Sequence, residues 1–354
     1  MEKFSDFISE QKNDEPYKLV VFQNSNDWIR DVKDTSLGAL SVLLKKSAKS
    51  AGIKLHLVDF TGLYISKSNN KRYVHSFGFD DNGHVELPSP KLDKKVTYEN
   101  PIEIDKENTI IMPRGLGTVG ITNNQNWTDM ISELELDGFL TIPSIKNWWI
   151  CSSKYLTDIY CKRVGLRTPK TIPITYSNDT ERVIKEFGNK FPVILKSSTG
   201  TQTGVGVVII ESMRSLHTYV QMLKLYEKHM PIVIQEFIKT DYDVRVVILD
   251  GEILATMKRE VISDGDFRSN VSLGAESSAM ELTEIEKQDS IKAANVVDGR
   301  LVGVDFIPAK NREKEQPYIL EVNSMPGFGG IEKHKKGLTE NILRHFKNRD
   351  NWRK

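Results

Sequence analysis

The sequence predicts an α/β (α+β) protein with an open α/β unit first and further β-sheet of its own in the remainder. Three observations predict it. Short apolar, β-branched runs alternate with a run of helical period across residues 18–60, and another strand-like run follows at 109–113. A glycine-rich stretch at 199–206 lies between two strand-like runs. Further strand-like runs then succeed one another between residues 232 and 322. The 354 residues give room for two or three packed subdomains, and 39% hydrophobic with 27% charged residues is the composition of a globular chain.

In chain order, residues 1–16 form a polar, acidic leader without the basic start and apolar middle of a secretory signal. Strand 18–22, helix 36–51, strand 54–60 and strand 109–113 make the first unit, 17–145. A dinucleotide role would require a glycine fingerprint after the first strand, and Gln23-Asn24-Ser25-Asn26-Asp27 stands there instead. Residues 66–100, with Pro88 and Pro90, read as a hairpin or excursion. A single helix is predicted over 147–164, closed by Gly165 with Pro169 shortly after. Cys151 and Cys161 lie on it, too far apart to bridge, as ordinary helix positions in a reducing cytosol. Strands 191–196 and 207–210 flank the glycines, a helical run covers 216–228, and strands follow at 232–237, 244–249, 252–258, 301–307 and 318–322. With a strand after the glycines and no Gly-Lys-Ser/Thr ending, the Walker-type loop is excluded. No apolar run approaches the roughly 20 residues of a membrane helix. A net charge of +1 provides no global field for nucleic acid. The expected location is cytoplasmic.

Two constellations carry chemistry. Asp305 stands near the end of one strand and Glu321-Val322-Asn323 on the next. Residues two apart on a strand share a face, so Glu321 and Asn323 present oxygens together and Asp305 can join them. Three oxygen donors with room for water and phosphate suit magnesium; any one alone would read as a solvated acid at a strand end. Lys196 ends an apolar strand just before Ser197-Ser198-Thr199-Gly200-Thr201-Gln202-Thr203-Gly204-Val205-Gly206. Backbone N–H groups and hydroxyls of such a segment can fold over a triphosphate, with Lys196 as the point charge. A plain hairpin loop is the alternative.

These parts occur in a set order with Gln235-Glu236-Phe237-Ile238, Asp243-Val244-Arg245, Gly265-Asp266-Phe267-Arg268-Ser269-Asn270 and Glu321-Val322-Asn323-Ser324-Met325-Pro326-Gly327. The chain thereby resembles the RimK-type glutamate ligase family of the ATP-grasp superfamily from about residue 146 to 346, with a weaker echo at Met112-Pro113-Arg114-Gly115. The resemblance implies an ATP-grasp fold: an N-terminal pre-ATP-grasp domain, a central subdomain 146–235 with the flap, and a C-terminal subdomain 236–354 with the metal site, the last two clamping ATP. Lys154 and Lys196 match the two nucleotide lysines. Gln235, Glu236, Phe237 and Ile238 match the hinge that reads adenine. Gly200, Thr201, Gln202, Gly204 and Gly206 match the flap, and Asp305, Glu321 and Asn323 the ligands of Mg²⁺ or, in its place, Mn²⁺. Taken alone, Lys154 would be a surface lysine.

Arg245 and Arg268 are the candidates for holding negative charge on the reacting carboxylate and phosphoryl group, because a guanidinium grips two oxygens at once. Asp243 shares a strand face with Arg245 and is either its ion-pair partner or, with Asn270, part of the nucleotide site. The implied reaction is ATP-dependent carboxylate–amine ligation through an acyl phosphate. The implied partners are ATP, an amino acid (glutamate first), and a protein or peptide acceptor, with nucleic acid only through a ribosomal substrate and a homo-oligomer left open. The chain departs from the family at the extra Thr203, at Val271-Ser272-Leu273-Gly274-Ala275 and at Phe328-Gly329-Gly330, all but the first where acceptor recognition is expected. Lys333-His334-Lys335-Lys336 reads as a solvated basic face. A small-molecule ligase and an ATP-binding protein without turnover are the competing readings.

Overall fold

The computed structural model describes residues 16–23, 39–60, 63–69, 71–75, 101–114, 121–174, 179–197, 207–226, 231–261, 277–327, 332 and 335–352. The chain divides into two compact units. Unit 1 holds residues 1–115, Asp129–Thr141 and Thr339–Lys354; unit 2 holds Leu116–Thr128 and Ile142–Leu338.

In unit 1, β1 (Tyr17–Gln23) lies between β2 (Ile53–Asp59) and β6 (Thr109–Pro113), all parallel, with β7 (Leu140–Thr141) beyond β6. Leu19, Val20, Val21 and Phe22 are all fully buried, as a central parallel strand covered on both faces requires. Helix α1 (Ala39–Ala51) packs Leu44 and Ala48 inward and ends at Gly52, φ 65°. Part of the expected excursion is a small antiparallel sheet of β3 (Tyr64–Ser68), β4 (Lys71–His75) and β5 (Ile102–Ile104); residues 76–100 lie outside the described ones, as does the leader 1–15. Arg72 of β4 pairs with Glu133 on α2 (Ile121–Leu136) and with Asp137 just after it.

The C-terminal helix, Leu338–Lys347, belongs to this unit from Thr339 onward, whereas the sequence placed it with segment 236–354. Its cations explain why: Arg344 donates to Ser50 O at 2.7 Å and Lys347 to Ala51 O at 3.0 Å, satisfying the last carbonyls of α1.

Unit 2 begins with α3 (Ile145–Ser152) and α4 (Lys154–Arg163), where one helix was expected. Ser153, at φ −111° and ψ 112°, breaks it; its Oγ accepts from Leu156 N at 3.2 Å, so the serine caps a new helix instead of continuing the old one. Cys151 and Cys161 therefore sit on two consecutive helices, both as free thiols. Helix α4 ends as expected at Gly165, φ 75°.

Four antiparallel strands, in the order β10-β9-β11-β8, form the first sheet: β8 (Thr171–Ile174), β9 (Val193–Ser197), β10 (Val207–Ile210) and β11 (Ile232–Glu236). One face, with Val193, Leu195, Ile210, Ile232 and Ile234, packs on α5 (Thr180–Glu186) and α6 (Met213–Tyr226) through Val183, Ile184, Leu216 and Val220.

The second sheet has the order β14-β13-β12-β15-β16: β12 (Tyr242–Leu249), β13 (Glu252–Glu260), β14 (Ser277–Ser278), β15 (Leu301–Ile307) and β16 (Tyr318–Asn323). Val244, Val246, Ile248, Val302, Val304, Phe306 and Val322 alternate onto the face covered by α3, α4 and α7 (Glu284–Val296), meeting Ile150, Cys161, Ala293 and Val297. Each such aliphatic side chain contributes about 1.5–3 kcal/mol by leaving water. The β12–β13 turn is Asp250-Gly251, both at positive φ (46° and 84°), and Arg300 grips the Asp250 carboxylate at 2.8 and 2.7 Å. Among the described residues no helix is long and apolar enough to cross a membrane.

Candidate active site

Strand alternation that buries the valines of β12, β15 and β16 turns their intervening residues to the opposite face. There the register sets Arg245 opposite Asp305, and Asp305 opposite Glu321. Arg245 Nε donates to Asp305 Oδ1 at 2.7 Å and Nη2 to Oδ2 at 2.6 Å, a bidentate fork. Its Nη2 also stands 3.9 Å from Glu321 Oε1, and Asn323 Nδ2 donates to that same oxygen at 3.0 Å. Gly303, opposite Asn323, leaves space for this arrangement: a Cβ there would stand 3.3 Å from Pro326 Cβ and 3.8 Å from Arg245 Nε.

Asp243 does not pair with Arg245, the alternative the sequence had allowed. It pairs with Arg259 on β13, which donates to Oδ1 at 2.6 Å and Oδ2 at 2.8 Å, and whose Nη2 also lies 3.1 Å from Asp305 Oδ2. Sequence reasoning missed Arg259 for a register reason. Near the turn Leu249 faces Glu252 and Ile248 faces Ile253, but Val247 faces Ala255, so Leu254 is a bulge and the pairing beyond it shifts by one. An unbroken two-residue hairpin would set Lys258, not Arg259, against Asp243. The Leu254 carbonyl accepts from Lys335 Nζ at 2.6 Å.

Burial alone would raise the Asp305 carboxyl; the charges of Arg245 and Arg259 overcome it and hold the group at about 2. Arg259, buried between Asp243 and Asp305, is pushed further above its already high value because their attraction outweighs desolvation.

Lys196 projects from the face of the four-stranded sheet not covered by helices, and donates to Gln235 Oε1 at 2.6 Å. Gln235 Nε2 in turn donates to Thr171 Oγ1 at 2.9 Å, and Thr171 Oγ1 to Pro169 O at 3.0 Å, which fixes the orientation of the amide. Desolvation lowers Lys196 to about 8; Glu321, Asp243 and Asp305 oppose that drop and Lys154 adds to it. Lys196 is thus within electrostatic reach of the carboxylates of the second sheet. Lys154 is the first residue of α4, because Ser153 caps it there. Glu236 ends β11; its N–H donates to Lys170 O at 2.8 Å, and Phe237 and Ile238 follow half-buried. The structure thus gathers Lys154, Lys196, Gln235, Asp243, Arg245, Asp305, Glu321 and Asn323 in unit 2. Gly200, Thr201, Gln202, Thr203, Gly204, Gly206, Arg268, Asn270 and residues 328–330 lie outside the described residues.

Among the described residues no cluster of three or more His, Cys, Asp or Glu side chains forms a metal centre. The candidate set is two carboxylates and an amide oxygen, whose hard oxygen chemistry fits a divalent cation that keeps part of its water. Asp305 is the member of the set already neutralised by arginine.

The family model of the RimK-like ATP-grasp domain matches residues 152–345. The chain belongs to that family. The match spans both antiparallel sheets and all the gathered residues, and it makes the RimK-like chain an ATP-grasp carbon–nitrogen ligase. A probable alpha-L-glutamate ligase of Coxiella burnetii (strain RSA 493 / Nine Mile phase I) is 28% identical over 291 residues, 82% of this chain and 84% of that one. Among solved structures, the ATP-grasp ligase PsnB complexed with minimal precursor, Mg and ADP has a TM-score of 0.58 at 15% identity, covering 93% of this chain and 98% of that one. The macrocyclase MdnC bound with precursor peptide MdnA, from Microcystis aeruginosa MRC, has a TM-score of 0.61 at 13% identity, covering 93% and 98%. These two show that the RimK-like chain shares their fold.

Proposed function

We propose that this chain uses Mg-ATP to convert a carboxylate into an acyl phosphate and joins it to the amine of an amino acid, glutamate being the first candidate, with a peptide or protein as acceptor. The observation that carries the reading is the in-register row of Arg245, Asp305 and Glu321 on neighbouring strands, with the buried Lys196 within its electrostatic reach.

A carboxylate is a poor acylating agent; its oxygen attacks the γ-phosphorus of ATP, the bond from that phosphorus to the β–γ bridging oxygen breaks and ADP leaves, and the acyl phosphate so formed carries phosphate as its leaving group. Phosphoryl transfer asks the protein chiefly for alignment and charge neutralisation. Lys196 and Lys154 supply positive charge to the phosphates, and Gln235 holds Lys196 in place. Arg245 presents a planar fork to the carboxylate or the transferring group. Glu321, Asn323 and Asp305 would hold magnesium, which when bound supplies further neutralisation of the phosphate oxygens. The glycine-rich flap, with Arg268 and Asn270 beyond it in the chain, excludes water from the acyl phosphate in this reading. The amine then attacks the acyl carbon and phosphate leaves.

Curated relatives named as probable glutamate ligases, and peptide-bound solved structures of the same fold, support this choice of amine and acceptor. The test is ADP release with Mg-ATP across single amino acids, with and without peptides ending in acidic residues, with mass spectrometry of the products. Amine-dependent ADP release with the matching mass gain is expected. Turnover only with free small molecules would move the acceptor away from peptides, and binding of ATP without turnover on any combination would overturn the ligation reading.

A further inference from the structure

We propose that Arg259 is a positioning residue: the fixed counter-ion that holds Asp305 in place and so releases Arg245 to serve the reacting groups. The inference rests on the reading of the site given above.

Two guanidinium groups share the one carboxylate of Asp305, and they differ in what else they do. Arg259 is 3% exposed and locked on a second carboxylate, Asp243, by two bonds of 2.6 and 2.8 Å. Arg245 has a side chain 21% exposed, and apart from Asp305 its nearest acid is Glu321 at 3.9 Å. Arg245 is therefore the arginine able to turn its fork to an incoming carboxylate or phosphoryl group, which offers the same two-oxygen geometry. Were it the sole partner, its departure would strand a buried carboxylate, a strongly destabilising change. Arg259, 3.1 Å from Asp305 Oδ2, prevents that.

The charges are consistent with this division. Among the described residues, Arg259 is shared by Asp243 and Asp305, and Arg245 by Asp305 and Glu321, so Asp305 keeps a cationic partner when Arg245 turns away. A lysine at 259 could not reproduce the contact, because a point charge cannot fork across Asp243 and still reach Asp305.

The test measures calorimetric binding of a non-hydrolysable ATP analogue to the full chain across a Mg²⁺ series and in EDTA, for the wild type, Arg259→Lys and Arg259→Met. The Mg²⁺ needed for half-maximal binding should rise about 10- to 100-fold in Arg259→Met, the range for residues that orient ligands from behind, and less in Arg259→Lys. Binding in EDTA should match the wild type. Wild-type Mg²⁺ dependence in either folded variant overturns the proposal, as does an equal loss of binding with and without Mg²⁺, which would make Arg259 a direct nucleotide contact. If Arg259→Met does not fold, Arg259→Lys decides on the same criteria. A wild type with no Mg²⁺-dependent binding would overturn the reading of the site and this proposal with it.

Discussion

Lys196 should take up a proton when a nucleotide binds. Desolvation sets it at about 8 against an ordinary 10.5, so near pH 8 the free chain is a mixture of ammonium and amine. A phosphate charge about 4 Å away would favour the ammonium by roughly 4 kcal/mol at an effective dielectric of ~20. That is roughly 10³ in proton affinity, enough to restore an ordinary lysine. The expected uptake is about 0.1 proton per nucleotide at pH 7, about 0.5 at pH 8 and about 0.9 at pH 9. Affinity should correspondingly fall as pH rises above 8. The sign for stability is opposite: the folded value is lowered, so between about 8 and 10.5 the unfolded chain holds more protons and this residue favours folding increasingly with pH. Calorimetry in buffers of different ionisation enthalpy reads the uptake directly, and the triphosphate is itself fully ionised at pH 8 and above. Binding enthalpies independent of buffer at pH 8 would refute the reasoning, as would equal uptake in Lys196→Arg, whose side chain does not titrate there.

Glu321→Ala should abolish Mg-dependent turnover while shifting stability by less than about 1 kcal/mol, since its side chain is one-third exposed; ADP release and urea unfolding check the two halves. Gly303→Ala sets a methyl group 3.3 Å from Pro326 Cβ, which must shift by a few tenths of an ångström, and should cost about 1–3 kcal/mol in urea unfolding; a neutral effect would show that Pro326 yields freely. Asp250→Ala removes the Arg300 fork and puts alanine at φ 46°, so about 1–3 kcal/mol of stability should be lost with the substrate dependence of the folded enzyme unchanged.

Strand positions were legible because their causes are local: the β-branched runs at β1, β9, β11, β12 and β15 bury themselves wherever they are placed. Asp305, Glu321 and Asn323 were legible as same-face residues on neighbouring strands, whereas the place of Arg245 opposite Asp305 depends on a strand pairing that the sequence does not show. The helix break was not, because 147–164 has helical spacing throughout and only the Ser153 hydroxyl, choosing Leu156 N, divides it. Nor was the destination of the C-terminal helix, which depends on carbonyls of α1 almost 300 residues earlier. The sequence leaves open whether Asp243 pairs with Arg245 or serves the nucleotide, and gives no sign of its bond to Arg259, because sequence shows spacing along a strand but not the partner across it.

The β12–β13 hairpin contains a conflict of phase. Its tight turn at Asp250-Gly251 dictates one alignment of the two strands, and the Asp243–Arg259 pair dictates another, displaced by a single residue. Leu254 absorbs the difference, so it works as a spacer whose value lies in its backbone alone. Removing it should leave Arg259 facing Asp243 on a straighter strand, whereas one extra residue between Ala255 and Lys258 would move Arg259 opposite Tyr242, on the face of the valine-lined core, and set its predecessor, Lys258, against Asp243, a point charge in place of the fork. Chain length in this strand is therefore constrained in one direction and tolerant in the other, an asymmetry by which insertions and deletions in relatives can be judged.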